Sequence, residues 1–535
     1  MALPFDDGTS ALRPASPRRR PGEPLPSGSE WRFDLIERYD REIARVAEGF
    51  RLDTYPNQIE VISAEQMMDA YASNGMPIGY HHWSFGKRFL ATEQVYKRGA
   101  MGLAYEIVIN SNPCIAYLLE ENTMPMQALV IAHASYGHNS FFKGNYLFRT
   151  WTQADAIIDY LLFSKQYIIE CERRYGEEEV ERVLDACHAL GNFGVDRYKR
   201  PPKRTLAQER LRLKEREEHL QQLVNDLWRT LPNRDSADDE KAEVVFPSEP
   251  QENLLYFLEK HAPLLEPWQR EIARIARKLQ QYFYPQRQTQ VMNEGWATFW
   301  HYTIMQTLYD EGLLADSFLL EVLHSHTNVL TQPAFDSPYF SGGMNPYALG
   351  FAMYRDIRRV CEEPTEEDRR WFPDIAGSDW LKTLDFAMRN FKDESFIQQF
   401  LSPKVIRDFR LFCLADDDEA PNYRVGAIHN DEGYRTVRDA LASQYALSER
   451  EPNIQIVGVD VGGDRSMTLR HFRADRRPLH GTYKDVMKHL AFLWGFTVRL
   501  ETVNEDGTIE PTHEIKIDKR RRPDLALAAA LRTLP

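Results

Sequence analysis

Two widely separated segments carry side chains of the kind that bind metal ions, and the fold must bring them together if they serve one ion. Residues 133–139 read HASYGHN, and residues 293–301 read NEGWATFWH. Imidazole nitrogen and carboxylate oxygen are the ligands that zinc and similar divalent ions take in catalytic sites. We therefore predict that these segments contain the ligands of a divalent metal ion, with zinc as the expected cofactor.

Composition narrows the class of protein. The chain has 535 residues, a formal net charge of −14 and five cysteines without a CxxC pair. Scattered cysteines favour reduced thiols in a cytoplasmic protein. The negative charge disfavours nucleic-acid binding, because phosphate contact requires a basic surface. The sequence contains no apolar run of about eighteen residues, so no membrane span is predicted. The first residues lack the apolar stretch of a secretory signal.

The pattern along the chain predicts three regions. Residues 1–28 are rich in Pro, Ser and Arg, which predicts a disordered N-terminal tail. In residues 29–402 apolar positions recur three or four apart, which predicts a mostly helical core domain. Residues 403–535 alternate between β-type runs and helical runs, which predicts a smaller C-terminal α+β domain. In this last region we predict strands at 409–414, 423–428, 454–461, 466–472 and 497–503, and helices at 432–445 and 483–493.

Four motifs carry a family resemblance. They are HASYGHNSFFKGNYLF at 133–148, NFGVDRY at 192–198, NEGWATFWHY at 293–302 and NPYALGFAMYRDI at 345–357. Together they resemble the SpoVR family, the stage V sporulation protein R group, which includes YcgB-type proteins of bacteria that do not sporulate. The resemblance extends from about residue 30 to the end. It implies a link to spore cortex formation or to stationary-phase stress response, and partnership with a PrkA-type serine protein kinase and a von Willebrand-like protein.

A second resemblance is to gluzincin-type metallopeptidases. These enzymes carry two helical histidines, a general-base glutamate after the first histidine, and a ligand glutamate on a later helix that in some reads Glu-Gly-Trp-Ala. The resemblance implies a zincin-like large domain with His133, His138 and Glu294 as metal ligands. The chain departs from the pattern at Ala134, which stands in the place of the general base. It departs again at His301, where those enzymes have an acid.

Helix geometry tests this ligand set. Five residues of an α-helix turn through about 500°, which leaves His133 and His138 about 140° apart around the axis. Gly137 offers a solution, because a glycine there permits a π-bulge or ends the helix. Glu294 and His301 share a helix face, but their Cα atoms are roughly 10 Å apart. We therefore predict a site for a single ion with His301 as a base or a substrate contact, and keep a two-ion site as the alternative.

Further candidates lie around the motifs. His301, Glu120 and Glu121 are candidate bases, since a base must act on water at the site. Tyr302 is a candidate for polarising a carbonyl group. The candidate substrate-binding residues are Asn139, Lys143, Asn145 and Arg355. We interpret His324 and His326 as histidines unconnected with the site, and Tyr347 as a packing residue.

Two classes of function follow. The first is a metal-dependent hydrolase that cleaves an amide bond in a peptide or a cell-wall-related substrate. The second is a non-catalytic regulator that retains a metallohydrolase scaffold and acts with the kinase system. Ala134 favours the second class, whereas the set of histidines and glutamate favours the first.

Overall fold

A computed structural model describes most of the chain as two compact units. The described residues are 23–73, 78–97, 106–198, 246–333, 337, 343–415, 424–425, 430–447, 451–473, 479–504 and 506–517. One unit comprises Met1–Leu184 and Leu279–Glu451, and the other comprises Asp185–Lys278 and Pro452–Pro535. The predicted boundary between residues 402 and 403 falls within the first unit. Residues 1–22 of the predicted tail lie outside the described residues, while Leu25 is buried and its N–H donates to the Leu313 carbonyl.

Helices make up most of the described structure. The α-helices are α1 (Phe33–Gly49), α2 (Ala64–Ala72), α3 (Trp83–Lys97), α4 (Met124–Ile131), α5 (Asn139–Gly144), α6 (Tyr146–Trp151), α7 (Ile157–Tyr175), α8 (Glu177–Ala189), α9 (Leu254–His261), α10 (Pro267–Gln288), α11 (Gln290–Asp310), α12 (Asp316–Val329), α13 (Pro346–Glu362), α14 (Glu366–Trp371), α15 (Trp380–Asn390), α16 (Asp393–Phe400), α17 (Pro403–Asp408), α18 (Asp431–Tyr445) and α19 (Tyr483–Trp494). A π-helix spans Ala132–His138, and a short 3₁₀-helix spans Gly191–Phe193. Among the described residues, no helix is both long and apolar enough to cross a membrane.

A three-stranded sheet interrupts the region that was predicted to be helical. Its strands are β1 (Asn57–Ile62), β2 (Glu106–Ile109) and β3 (Cys114–Leu119), in the order β1-β3-β2. β3 is parallel to β1 and antiparallel to β2. The prediction of a mostly helical region did not include these strands, because β3 is buried along its whole length and a short apolar run does not distinguish a buried strand from a buried helix.

The π-helix continues directly from α4. The side chain of Thr123 accepts a hydrogen bond from the Met126 N–H, which starts α4. After Ile131 the backbone widens into the seven-residue π-helix and then returns to α-helix in α5. A π-helix bonds residue i to residue i+5, so residues five apart lie on one face. His133 and His138 therefore point to the same place, which is one of the two solutions that Gly137 suggested.

Small residues allow three elements to pack closely around the predicted site. A Cβ placed on Gly137 would lie 2.6 Å from the Cα of Ala297, so the π-helix touches the backbone of α11. A Cβ on Gly295 would lie 2.4 Å from the Cα of Gly350, so α11 crosses α13 at two glycines. Real Cβ atoms do not tolerate such distances. The glycines of the HASYGHN, NEGWATFWH and NPYALGFAMYRDI motifs therefore fix the positions of the helices that carry the candidate ligands.

The remaining strands lie towards the C-terminus. β4 (Leu414–Ala415) and β5 (Arg424–Val425) form a two-residue pairing. The predicted strand at 409–414 was wrong except at its last residue, and of the predicted strand at 423–428 only residues 424–425 are described. β6 (Asn453–Val459), β7 (Met467–Phe472), β8 (Val498–Val503) and β9 (Ile509–Ile515) form a sheet in that order. β6, β7 and β8 confirm the three strands predicted there, and α18 and α19 confirm the helices. The sequence did not predict β9. The predicted fold class is confirmed in its coarse form, a mainly helical larger part with a smaller C-terminal part that contains a sheet.

Candidate metal centre

Four ligand atoms from three elements converge beside the π-helix. One ligand atom each from Glu106, His133 and His138 lie within 4.8 Å of one another. Glu294 Oε2 is 3.4 Å from His138 Nε2 and 3.9 Å from His133 Nε2, and Glu106 Oε1 is 3.6 Å from His133 Nε2. Two ligands that bind one zinc ion tetrahedrally at 2.0–2.1 Å are about 3.4 Å apart. The spacing therefore fits a single divalent ion.

Hydrogen bonds orient both histidines so that Nε2 faces this point. His138 Nδ1 lies 2.9 Å from Asn293 Oδ1, so the imidazole N–H donates to the amide oxygen. His133 Nδ1 lies 2.9 Å from Nδ1 of His301. Nδ1 of His138 carries the proton, so the lone pair of its Nε2 is available for a cation, which is the usual arrangement around histidine ligands. Nε2 of His133 is available in the same way when its Nδ1 donates to His301.

The centre contains buried acidic side chains that a bound cation would stabilise. Burial, together with the nearby charge of Glu294, raises the pKa of Glu106 to about 8. Burial lowers the pKa of His133, and the proximity of His138 lowers it further. Tyr347 stacks on His133 at 6.3 Å between ring centroids, and the Glu294 charge raises the Tyr347 pKa, with burial adding to the effect. Two acidic side chains thus share a largely buried place with the neutral imidazole of His133, and among the described residues no lysine or arginine forms an ion pair with either acid.

Behind His133, two more buried imidazoles continue a chain. His301 Nε2 is 2.7 Å from His326 Nδ1, while His301 Nδ1 faces His133. Burial lowers the pKa of His301, and burial, with the charge of Arg355, lowers the pKa of His326 to about 3. Tyr302 stacks on His326 at 5.0 Å. Both nitrogens of His301 are therefore occupied by other imidazoles, on the far side of His133 from the two carboxylates.

The other predicted site residues lie elsewhere. Glu120 and Glu121 are exposed in the turn after β3. The Asn139 side chain bonds both the N–H and the carbonyl of Tyr55. Lys143 Nζ is 2.6 Å from Asp53 Oδ1. These contacts hold the segment that enters β1.

Asn145 and Arg355 also have their own contacts. Asn145 caps α6 through the Leu147 N–H, and its amide donates to the carbonyls of Met388 and Phe391. Arg355 is exposed, and its guanidinium lies 5.5 Å from the centre of the Phe351 ring. A role of these residues in binding substrate stays a prediction.

Sequence reasoning missed four residues of the centre. They are Glu106, Asn293 as a partner of His138, His326 and Tyr347. Glu106 lies at the start of a short strand without a local motif, and no pattern indicates that the strand ends beside the π-helix. Tyr347 offered a weak signal, because it belongs to the NPYALGFAMYRDI motif.

Comparisons with known proteins extend over almost all of the chain. The family described as SpoVR like protein matches residues 30–450, and the SpoVR-like C-terminal domain matches residues 452–505. The uncharacterized protein YcgB of Escherichia coli (strain K12) is 66% identical over 486 residues, which cover 91% of this chain and 95% of that protein. No solved structure matches the chain. The chain therefore belongs to the SpoVR family.

Proposed function

We propose that this protein is a zincin-like, metal-dependent hydrolase that cleaves amide bonds in a peptide or a cell-wall-related substrate. The observation that carries the proposal is the convergence of His133 Nε2, His138 Nε2 and Glu294 Oε2 at ligand spacing. Two histidines and a glutamate are a ligand set that zinc hydrolases use.

The residues present fit a divalent cation. Glu294 Oε2 is buried and has no hydrogen-bond partner among the described residues. A buried carboxylate oxygen without a partner is costly, and a cation would compensate it. Zinc suits the mixed imidazole and carboxylate set. When bound, a divalent cation acts as a Lewis acid that polarises a carbonyl and acidifies water.

A catalytic site must keep one coordination position open, so the four acidic and imidazole groups cannot all be ligands. We assign His133, His138 and Glu294 as ligands and Glu106 as the general base. Glu106 Oε1 lies 3.6 Å from His133 Nε2, beside the ligand atoms, where a carboxylate can take a proton from water at the open position. Burial and the charge of Glu294 raise its pKa to about 8, and a bound cation would favour the charged carboxylate that accepts the proton. Glu106 thereby fills the role that Ala134 leaves empty, since Ala134 is buried in the hydrophobic core.

Two residues then act on the substrate. Glu106 takes the proton of the attacking water and later delivers it to the leaving amine. Tyr347 stays protonated, because the Glu294 charge and burial raise its pKa, and it donates a hydrogen bond to the oxygen of the cleaved carbonyl. This assignment takes the place of His301, Glu120, Glu121 and Tyr302, because the described contacts of those residues lie away from the ligand atoms.

A matched pair of variants tests the assignment. Glu106→Gln and Glu294→Gln each replace a carboxyl group by an amide of the same size. We expect Glu106→Gln to retain zinc and lose at least about 100-fold in hydrolysis of peptide or peptidoglycan fragments, followed by mass spectrometry of new amine ends. We expect Glu294→Gln to lose zinc. Undiminished cleavage by Glu106→Gln overturns the base assignment. A wild type that holds zinc and cleaves neither substrate class supports the non-catalytic regulator.

Family membership supports two further proposals. One is a role in spore cortex formation or stationary-phase stress response. The other is association with a PrkA-type serine kinase and a von Willebrand-like partner. Co-purification of these proteins with the full chain from cells is the test of the second proposal.

A further inference from the structure

Three buried histidines form a hydrogen-bonded chain that ends at the candidate ligand His133. They come from the π-helix, α11 and α12 and are 4%, 2% and 3% exposed for His133, His301 and His326. The contacts are Nδ1 to Nδ1 at 2.9 Å between the first two and Nε2 to Nδ1 at 2.7 Å between the second and third. Both distances are those of strong hydrogen bonds.

The three rings and their two hydrogen bonds allow only two arrangements of the N–H protons. Burial favours neutral imidazoles, and each neutral imidazole carries one N–H. Two of the three protons occupy the two hydrogen bonds, so the third lies at one end of the chain. In the inward arrangement, His133 carries it on Nε2, facing the carboxylates. In the outward arrangement, His326 carries it on Nε2.

The surroundings distinguish the two ends. His133 Nε2 has Glu106 Oε1 at 3.6 Å and Glu294 Oε2 at 3.9 Å, and the negative charge of Glu294 attracts an N–H there. His326 Nε2 is buried, and the described part of the chain offers it no hydrogen-bond partner. Without a cation, the Glu294 carboxylate therefore favours the inward arrangement. A cation at His133 Nε2 requires a bare lone pair there and permits only the outward arrangement.

We propose that His301 and His326 are positioning residues that set the tautomer of His133, so that cation binding at His133 Nε2 shifts the free N–H of the chain to His326 Nε2. The shift is balanced. His133 releases its Nε2 proton to solvent and takes one on Nδ1 from His301, His301 takes one on Nε2 from His326, and His326 takes one on Nε2 from solvent. Every ring stays neutral, and the proton lost by His133 equals the proton gained by His326. This inference rests on the metal centre of the proposed function.

Two measurements on the full-length protein test the inference. The first is ¹⁵N NMR of protein labelled in histidine, with and without zinc. We expect His301 and His326 to change from Nδ1–H to Nε2–H when zinc binds. A role in packing alone would leave these tautomers unchanged, so the spectrum separates the two explanations.

The second measurement is zinc affinity, by competition with a chromophoric chelator. His326→Phe keeps a ring against Tyr302 and removes the acceptor of the His301 N–H, and we expect its affinity to fall about 10- to 100-fold. His324→Phe is the matched control, because His324 is an exposed residue of the same helix and should leave affinity unchanged.

The outcomes separate this inference from the proposed function. Zinc binding with unchanged tautomers, or wild-type affinity in His326→Phe, overturns the inference and leaves the metal centre standing. A wild type that binds no zinc overturns both. If His326→Phe does not fold, the spectrum of the wild type decides.

Discussion

Gly137 lies directly against Ala297, so that a Cβ on Gly137 would be 2.6 Å from the Cα and 2.8 Å from the Cβ of Ala297. This contact joins the π-helix to α11. It places Glu294 beside His133 and His138, and it leaves no room for any side chain at position 137. The spacing of the three candidate ligands depends on this close contact between two backbones.

Gly137→Ala should therefore separate the ligands. The new methyl group meets backbone atoms, which move less easily than a side chain, so we expect a loss of about 1–3 kcal/mol in the free energy of unfolding and a weaker zinc site. Unfolding by denaturant and zinc titration measure both effects. Gly86→Ala is the control, because Gly86 lies in α3 with no atom within 4 Å of a new Cβ. Equal stability of the two variants would contradict the role of the contact.

Asp393 holds the start of α11 and hence Glu294. Its two carboxylate oxygens accept the N–H groups of Val291 and Met292, each at 2.9 Å, in a fully buried place. Asp393→Ala leaves both donors unsatisfied, at about 1–3 kcal/mol each. Asp379→Ala is a matched control, since Asp379 caps α15 through two N–H groups but is half-exposed. We expect the control to lose about 1 kcal/mol in denaturant unfolding, and equal losses would refute the account.

The same carboxyl predicts a pH dependence. Burial raises the pKa of Asp393 to about 7, against an ordinary value of 3.8. Between these values the unfolded chain binds fewer protons than the folded chain, so stability falls as pH rises through this window. Relative to Asp393→Asn, the wild type should lose up to about 1.4 kcal/mol per pH unit from pH 4 to 7. Denaturant midpoints of both proteins measure it, and a constant difference across the window would disprove the assignment.

Asn293 should matter through His138. Asn293→Ala removes the acceptor of the His138 N–H, and we expect zinc affinity to fall about 10- to 100-fold with the fold intact. The exposed pair of His324 and Asn328 supplies a matched control, with 3.2 Å between His324 Nε2 and Asn328 Nδ2. Asn328→Ala should leave the chelator-competition curve unchanged. A wild-type curve for Asn293→Ala would show that the amide does not orient the ligand.

The local parts of the structure were predictable from the sequence. Strand β7 (Met467–Phe472) lies within the predicted 466–472. The alternating residues of the strand and the Gly-Gly-Asp turn at 462–464 before it are local signals that a single sequence contains. β9 was missed because most of its residues are exposed and Pro511 breaks the strand pattern. The pairing of His133 with His138 followed from helix geometry once Gly137 was considered.

The distant parts of the site were not predictable. Glu106 reaches the centre because β2 pairs with β3, with Glu106 opposite Leu118, and this pairing is made along the fully buried strand β3. His326 joins His301 across two helices, so its spacing from the motifs carries no signal. One chain without its relatives does not reveal such contacts, because they depend on how elements pack and not on neighbouring residues.

Metal content tests the central claim most directly. The full-length protein should be exposed to zinc, passed through gel filtration and analysed by mass spectrometry of the elements, beside His133→Ala, His138→Ala and Glu294→Ala, with His324→Ala as a control. We predict one equivalent of zinc in the wild type and in the control, and a loss of zinc in the other three while their folding is retained. A wild type without stoichiometric metal, or a metal content unaffected by His133→Ala and Glu294→Ala, would contradict the account.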